Sequence, residues 1–168
     1  MPTLTFTGSQ HRLLLPEDIK DRATPWIQTQ PTTAYRTADQ APFRRMIDFW
    51  FTAIAWAVSH EVEPVEETTG RFFVALGPNP NDIRNFEEWR ADLLTILAVR
   101  VFGVNSPDVS DTRKIIDLAN RYAEAGAPLL LDRLEESADL ALPRLYVVAD
   151  ILARLVTETA LQSSDRSF

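Results

Sequence analysis

The sequence predicts a mainly α protein: a helical bundle of four to five helices with a small β element and an extended N-terminal arm. Three observations predict it. Apolar residues recur at helical spacing in successive stretches from Pro42 to Leu161. Strand-like runs are few and short: Leu4–Phe6, Leu13–Leu15 and Arg71–Gly77. Five of the 11 Pro residues (Pro2, Pro16, Pro25, Pro31, Pro42) precede the first long helix, in a stretch without helical period. No βαβ alternation and no solenoid repeat competes with this reading. The expected division is an N-terminal arm with short strands and one short helix over 1–41, a helical core over 42–161, and a flexible tail over 162–168.

Each element has a local cause. Pro16-Glu17-Asp18 opens a short helix, with Pro and acids where a helix N-terminus favours them. Thr24–Ala41 is rich in Thr, Gln and Pro and reads as an extended arm or long loop, yet Trp26, Ile27 and Tyr35 need cover. The first long helix spans about Pro42 to Ser59. Its Arg45, Asp48, Thr52, Ala55 and Ser59 form one narrow stripe, and nearly everything else is large and apolar. Such a helix is buried on several sides. Asn85 and Glu88 fit a capping box for a helix to Phe102, with Phe86, Trp89, Leu93, Ile96 and Leu97 as its inner face. Gly103 ends it as a C′ glycine. Ser106-Pro107-Asp108 leads into a helix that Gly126 is expected to stop. Ala127-Pro128 then begins a shorter helix to about Leu140, and Leu142-Pro143 a last one to Leu161.

Composition narrows the function classes. The 168 residues suffice for one domain, which buries roughly 70% of its unfolded surface without staples. The absence of Cys removes disulfides, thiolate chemistry and Cys-based metal sites. With only His11 and His60 in the chain, no metal site and no cofactor are expected. A net charge of −7 disfavours direct nucleic-acid binding. No signal peptide is visible, and the most apolar stretch, Met46–Val58, is too short to span a bilayer. A soluble cytoplasmic protein is therefore expected. Of the 17 basic residues, 15 are Arg, which reads first as a GC-rich bacterial genome and second as a choice for interface ion pairs.

Catalytic patterns are mostly missing. There is no P-loop, no Gly-rich dinucleotide fingerprint, no G-x-S-x-G and no H-E-x-x-H. Two carboxylates stand out as weak acid-site candidates. Asp48 lies within the most apolar helix, with Arg44 and Arg45 at i−4 and i−3. It reads as an ion pair on the polar stripe first, and as a tuned acid second. Glu88 sits at a helix start, four residues before Asp92, where acids are common anyway.

Aromatic and Arg residues are the interface candidates: Trp26, Tyr35, Arg44, Arg45, Phe49, Trp50 and Trp56. Trp50 and Trp56 are six residues apart and project from different faces, one toward the core and one toward another helix or a partner. Core packing explains most of the cluster, with self-association as its competitor. The segments RLLLPEDIKDR and FRRMIDFWFTAIAWAV resemble those of small accessory proteins of bacterial phage-defence or DNA-modification systems. That resemblance covers about a quarter of the chain, rests on no diagnostic motif, and transfers no residue roles. The expectation is thus a non-catalytic interaction or assembly subunit of a bacterial multiprotein system, oligomeric with itself or bound to a protein partner. Two alternatives stand beside it. One is an acidic, antitoxin-like regulator masking a basic partner through Asp132, Glu135, Glu136 and Asp139. The other is a small carboxylate-dependent enzyme using Asp48 or Glu88.

Overall fold

The computed structural model describes residues 12–28, 41–70, 72–74 and 88–139. The expected strand at Leu4–Phe6, the Asn85 cap, the helix over 142–161 and the tail over 162–168 lie outside them. The described chain is mainly helical, as expected. In order it forms β1 (Leu14–Leu15), α1 (Glu17–Ala23), a 3₁₀ turn (Thr24–Trp26), α2 (Met46–Ser59), β2 (Phe72–Phe73), α3 (Glu88–Phe102), a second 3₁₀ turn (Pro107–Ser110) and α4 (Thr112–Asp139).

The helix α2 is the centre of the core. Ile47, Phe49, Trp50, Phe51, Ala53, Ile54 and Ala57 are buried, while the Arg45–Asp48–Thr52–Ala55–Ser59 stripe is half-buried. It begins at Met46 rather than near Pro42, because Phe43 is held in a parallel bridge with Ile27. There Phe43 N–H donates to the Trp26 carbonyl and Gln28 N–H to that of Phe43, at 3.2 and 2.8 Å. Gln28 Nε2 also donates to Ala41 O at 2.9 Å. The described residues that flank positions 29–40 are therefore fastened together, Trp26 and Gln28 to Ala41 and Phe43.

The end of α2 is a Schellman motif. Val62 N–H donates to Ala57 O at 2.9 Å and Glu61 N–H to Val58 O at 3.3 Å. Glu61 occupies the left-handed position at φ 53°, which costs a residue with a Cβ about 1 kcal/mol or more. Replacing Glu61 with Gly should stabilise the fold by up to about 1 kcal/mol, less the extra entropy glycine gives the unfolded chain. Thermal unfolding reads this as a rise of roughly 1–3 °C.

Gly103 ends α3 as the sequence predicts, with φ 85° and its N–H on Val99 O at 3.0 Å. Ser106-Pro107-Asp108 forms only the second 3₁₀ turn. Helix α4 opens after it, on an Asp111 cap whose Oδ1 accepts from Arg113 and Lys114 N–H at 3.0 and 3.3 Å.

The main correction concerns Gly126. The expected stop at Gly126 and restart at Ala127-Pro128 do not occur: α4 is one helix of 28 residues with Pro128 inside it. In isolation Gly and Pro disfavour a helix interior by about 1 and 3 kcal/mol. Tertiary burial overrides that preference here, because Leu130, Leu131 and Leu134 beyond the proline are fully buried. Gly126 itself is a contact point. A Cβ built on it would lie 2.1 Å from Ala53 O and 2.9 Å from Ala57 Cβ. Farther along, Val65 N–H reaches Arg121 O at 3.4 Å. From Ala53 to Val65, past the end of α2, the chain thus moves from Gly126 to Arg121, so α2 and α4 run antiparallel, and Gly126 lets their backbones approach at Ala53 and Ala57.

A two-residue antiparallel ladder, Leu14 with Phe73 and Leu15 with Phe72, forms the β element. Its outer edge is covered by α4 rather than by a third strand. Leu14 N–H donates to Asn120 Oδ1 at 2.8 Å, and Asn120 Nδ2 donates to Arg12 O at 2.9 Å. The Asn120 amide thus stands in for a neighbouring peptide unit, and it is only 4% exposed. Asn120→Ala should cost about 2–3 kcal/mol, since it strands a strand N–H away from water; urea unfolding of the variant checks this. Residues 12–28 belong to the same core as the helices, through Leu13, Leu15, Ile19, Ala23, Trp26 and Ile27.

Helix α3 departs from its expected face. Leu97 is buried, together with Leu94, Ala98 and Arg90. Leu93 and Ile96 point outward, 44% and 64% exposed.

Candidate functional site

Asp48 is bound on both oxygens. As the third residue of α2, it accepts the Arg45 N–H on Oδ2 at 3.0 Å, and Arg45 Nε lies 3.7 Å from the same oxygen. Its Oδ1 receives Arg90 Nη2 from the first turn of α3. The Arg90 side chain is buried, with its guanidinium 5.4 Å from the centre of the Phe51 ring. The arrangement ties the first turns of α2 and α3 together and caps α2. Of the two arginines expected beside Asp48, Arg45 takes part and Arg44 is exposed. Arg90 escaped the sequence reading. Its signal was there: a charged residue at position 90 in a row otherwise made of Leu94, Leu97 and Ala98.

The remaining candidates separate into core and surface. Trp26, Phe49 and Trp50 are core side chains, 6%, 0% and 0% exposed. Phe49 meets Phe43 edge-on at 5.4 Å between ring centres, and Trp50 meets Phe51 at 5.0 Å. The Trp50 indole N–H donates to Leu14 O at 3.3 Å, which fastens α2 to β1. Trp56 lies half-buried on the other side of α2. Its ring stacks on His60 at 4.1 Å, and His60 Nδ1 sits 3.0 Å from Trp56 O. Tyr35 and the Glu88 side chain lie outside the described residues; Glu88 is the first residue of α3.

Three further carboxylates are engaged within the fold. Glu124 on α4 accepts from the Thr68 hydroxyl at 2.7 Å and from Thr69 N–H at 3.0 Å, holding the loop before β2. Arg22 of α1 bridges Asp132 and Glu135 at 2.8 and 3.0 Å. Hydrogen bonding to Asp132 first, and then Glu135, raises the pKa of that guanidinium. Half of the acidic face proposed for partner masking is therefore joined to α1. Burial, followed by the Glu63 carboxylate, raises the Tyr122 phenol above its ordinary range.

Among the described residues no group of three or more His, Asp or Glu side chains could hold a metal ion. Among them, too, no helix is long and apolar enough to cross a membrane. Large apolar side chains also stand outward: Leu93, Ile96 and Val101 of α3, Val104 just after it at 73% exposed, and Leu129 of α4. Comparison of the chain with protein-family models, with curated proteins and with solved structures finds no match.

Proposed function

We propose that this chain is a non-catalytic interaction or assembly subunit, acting in the cytoplasm as part of an oligomer or of a multiprotein system. Bacterial phage defence or DNA modification is the setting its sequence suggests. The observation that carries the reading is the outward placement of Leu93 and Ile96, 44% and 64% exposed in the middle of a helix that already buries Leu94, Leu97 and Ala98. A helix apolar on two opposite sides is built to be covered on both. The polar groups that could have served chemistry support the same reading. Asp48 ties Arg45 and Arg90, and Glu124 ties Thr68 and Thr69.

The test is recovery of a tagged full-length chain from its host cells at low and moderate salt, with mass spectrometry of what stays bound. The expected result is a stoichiometric component, either further copies of the chain or one other protein. Recovery of the chain alone as a monomer at both salt concentrations overturns the proposal.

A further inference from the structure

Helix α3 carries a charge pattern on its outer face that selects an occupant. The exposed row runs Asp92, Ile96, Arg100, with Leu93 beside it. Asp92 and Arg100 make no ion pair among the described residues. They lie four positions either side of Ile96, about 6 Å along the axis in each direction. When two copies of a helix pack antiparallel about a two-fold axis, the residue n places before the axis faces the residue n places after it. With Ile96 at the axis, Asp92 of each copy therefore faces Arg100 of the other. The same face laid parallel on itself would bring Asp92 toward Asp92 and Arg100 toward Arg100.

We propose that the Asp92–Leu93–Ile96–Arg100 face of α3 is an isologous contact with a second copy of this chain. It seats Ile96 on Ile96 at the two-fold axis, flanked by two Asp92–Arg100 ion pairs. The contact uses each exposed apolar side chain twice, which suits a face with few of them. The inference rests on the association reading above and names its surface and partner.

The experiment is sedimentation equilibrium of the full chain from micromolar to submillimolar concentration. The wild type is compared with Asp92→Arg, Arg100→Asp and the double variant carrying both. Both substitutions are at exposed positions, and circular dichroism checks that each of the three variants is folded. The wild type should reach twice the 19.0 kDa chain mass. Each single reversal places like charges face to face and should weaken dimerisation by about tenfold or more. The double variant restores opposite charges in swapped order, and should return to within about threefold of the wild type. A monomeric wild type throughout the range overturns the inference, as do single reversals without effect or a double variant no better than the singles. A wild-type monomer that still retains a stoichiometric protein from its host defeats this contact alone. A monomer that retains nothing defeats the association reading with it.

Discussion

Gly126→Ala should destabilise the protein by about 3 kcal/mol, although alanine is the better helix former by about 1 kcal/mol. The added Cβ would stand 2.1 Å from the Ala53 carbonyl oxygen and 3.0 Å from its carbon. Both are backbone atoms of a buried helix, so no side-chain rotation relieves the contact. The helices must part, and the tight packing of Ala53, Ala57, Ala123 and Ala127 around the crossing is lost with them. Overpacking of this kind costs 1–3 kcal/mol in ordinary cores and more where the backbone is the obstacle. The melting temperature should fall by roughly 6–12 °C. A neutral or stabilising effect would mean that Gly126 works as the local helix breaker its sequence context suggests, and not as the crossing point of α2 and α4.

Asp48→Ala should cost a similar amount, about 3 kcal/mol, by a different route. The variant loses the carboxylate that accepts Arg45 N–H at the start of α2, worth about 1 kcal/mol as a cap. It also takes the negative charge from beside the buried Arg90 guanidinium. Removing one partner of a buried pair costs 3–5 kcal/mol in general. The lower end applies because the Asp48 side chain is itself 25% exposed. Replacing Arg90 by Met in the Asp48→Ala background should recover part of the loss, since the buried guanidinium that has lost Asp48 is replaced by an apolar side chain. Urea unfolding of the two single variants and the double gives the coupling directly. Additive losses would show that the pair does not hold α2 to α3.

The sequence carried the helices well where one physical preference dominated. The stripe Arg45–Asp48–Thr52–Ala55–Ser59 stands out against an otherwise apolar α2, and the structure leaves that stripe half-buried. Gly103 follows the last apolar residue of α3 and takes the positive φ such a position needs. The reading failed where tertiary packing opposed a local signal. Gly126 and Pro128 look like punctuation, and only the facing Ala53 and Ala57 reveal that the glycine is a close approach. In α3 the apolar residues lie on two sides, so periodicity alone could not say which side is the core. It placed Leu93 and Ile96 inside, and the structure turns them out. Asn120 and Arg90 share one signature, a polar residue in an apolar row. That pattern marks a buried fastener but not the group it fastens, because Leu14 is 106 residues from Asn120 and Asp48 is 42 from Arg90. Trp50 is fully buried while Trp56, six residues on, is half-buried. The burial of Trp26, Phe49 and Trp50 shows that aromatic abundance alone does not mark a surface.

If the chain associates as proposed, Asp48 serves the fold and the outer apolar face of α3 serves the contact. The most direct test is the molar mass of the full chain in solution, by light scattering across concentration, for Asp48→Asn and Ile96→Glu beside the wild type. Asp48→Asn should melt earlier and keep the wild-type mass while folded. Ile96→Glu, at a position 64% exposed, should melt close to the wild type and stay monomeric. The opposite pattern, with mass lost in Asp48→Asn and unchanged in Ile96→Glu, would contradict it.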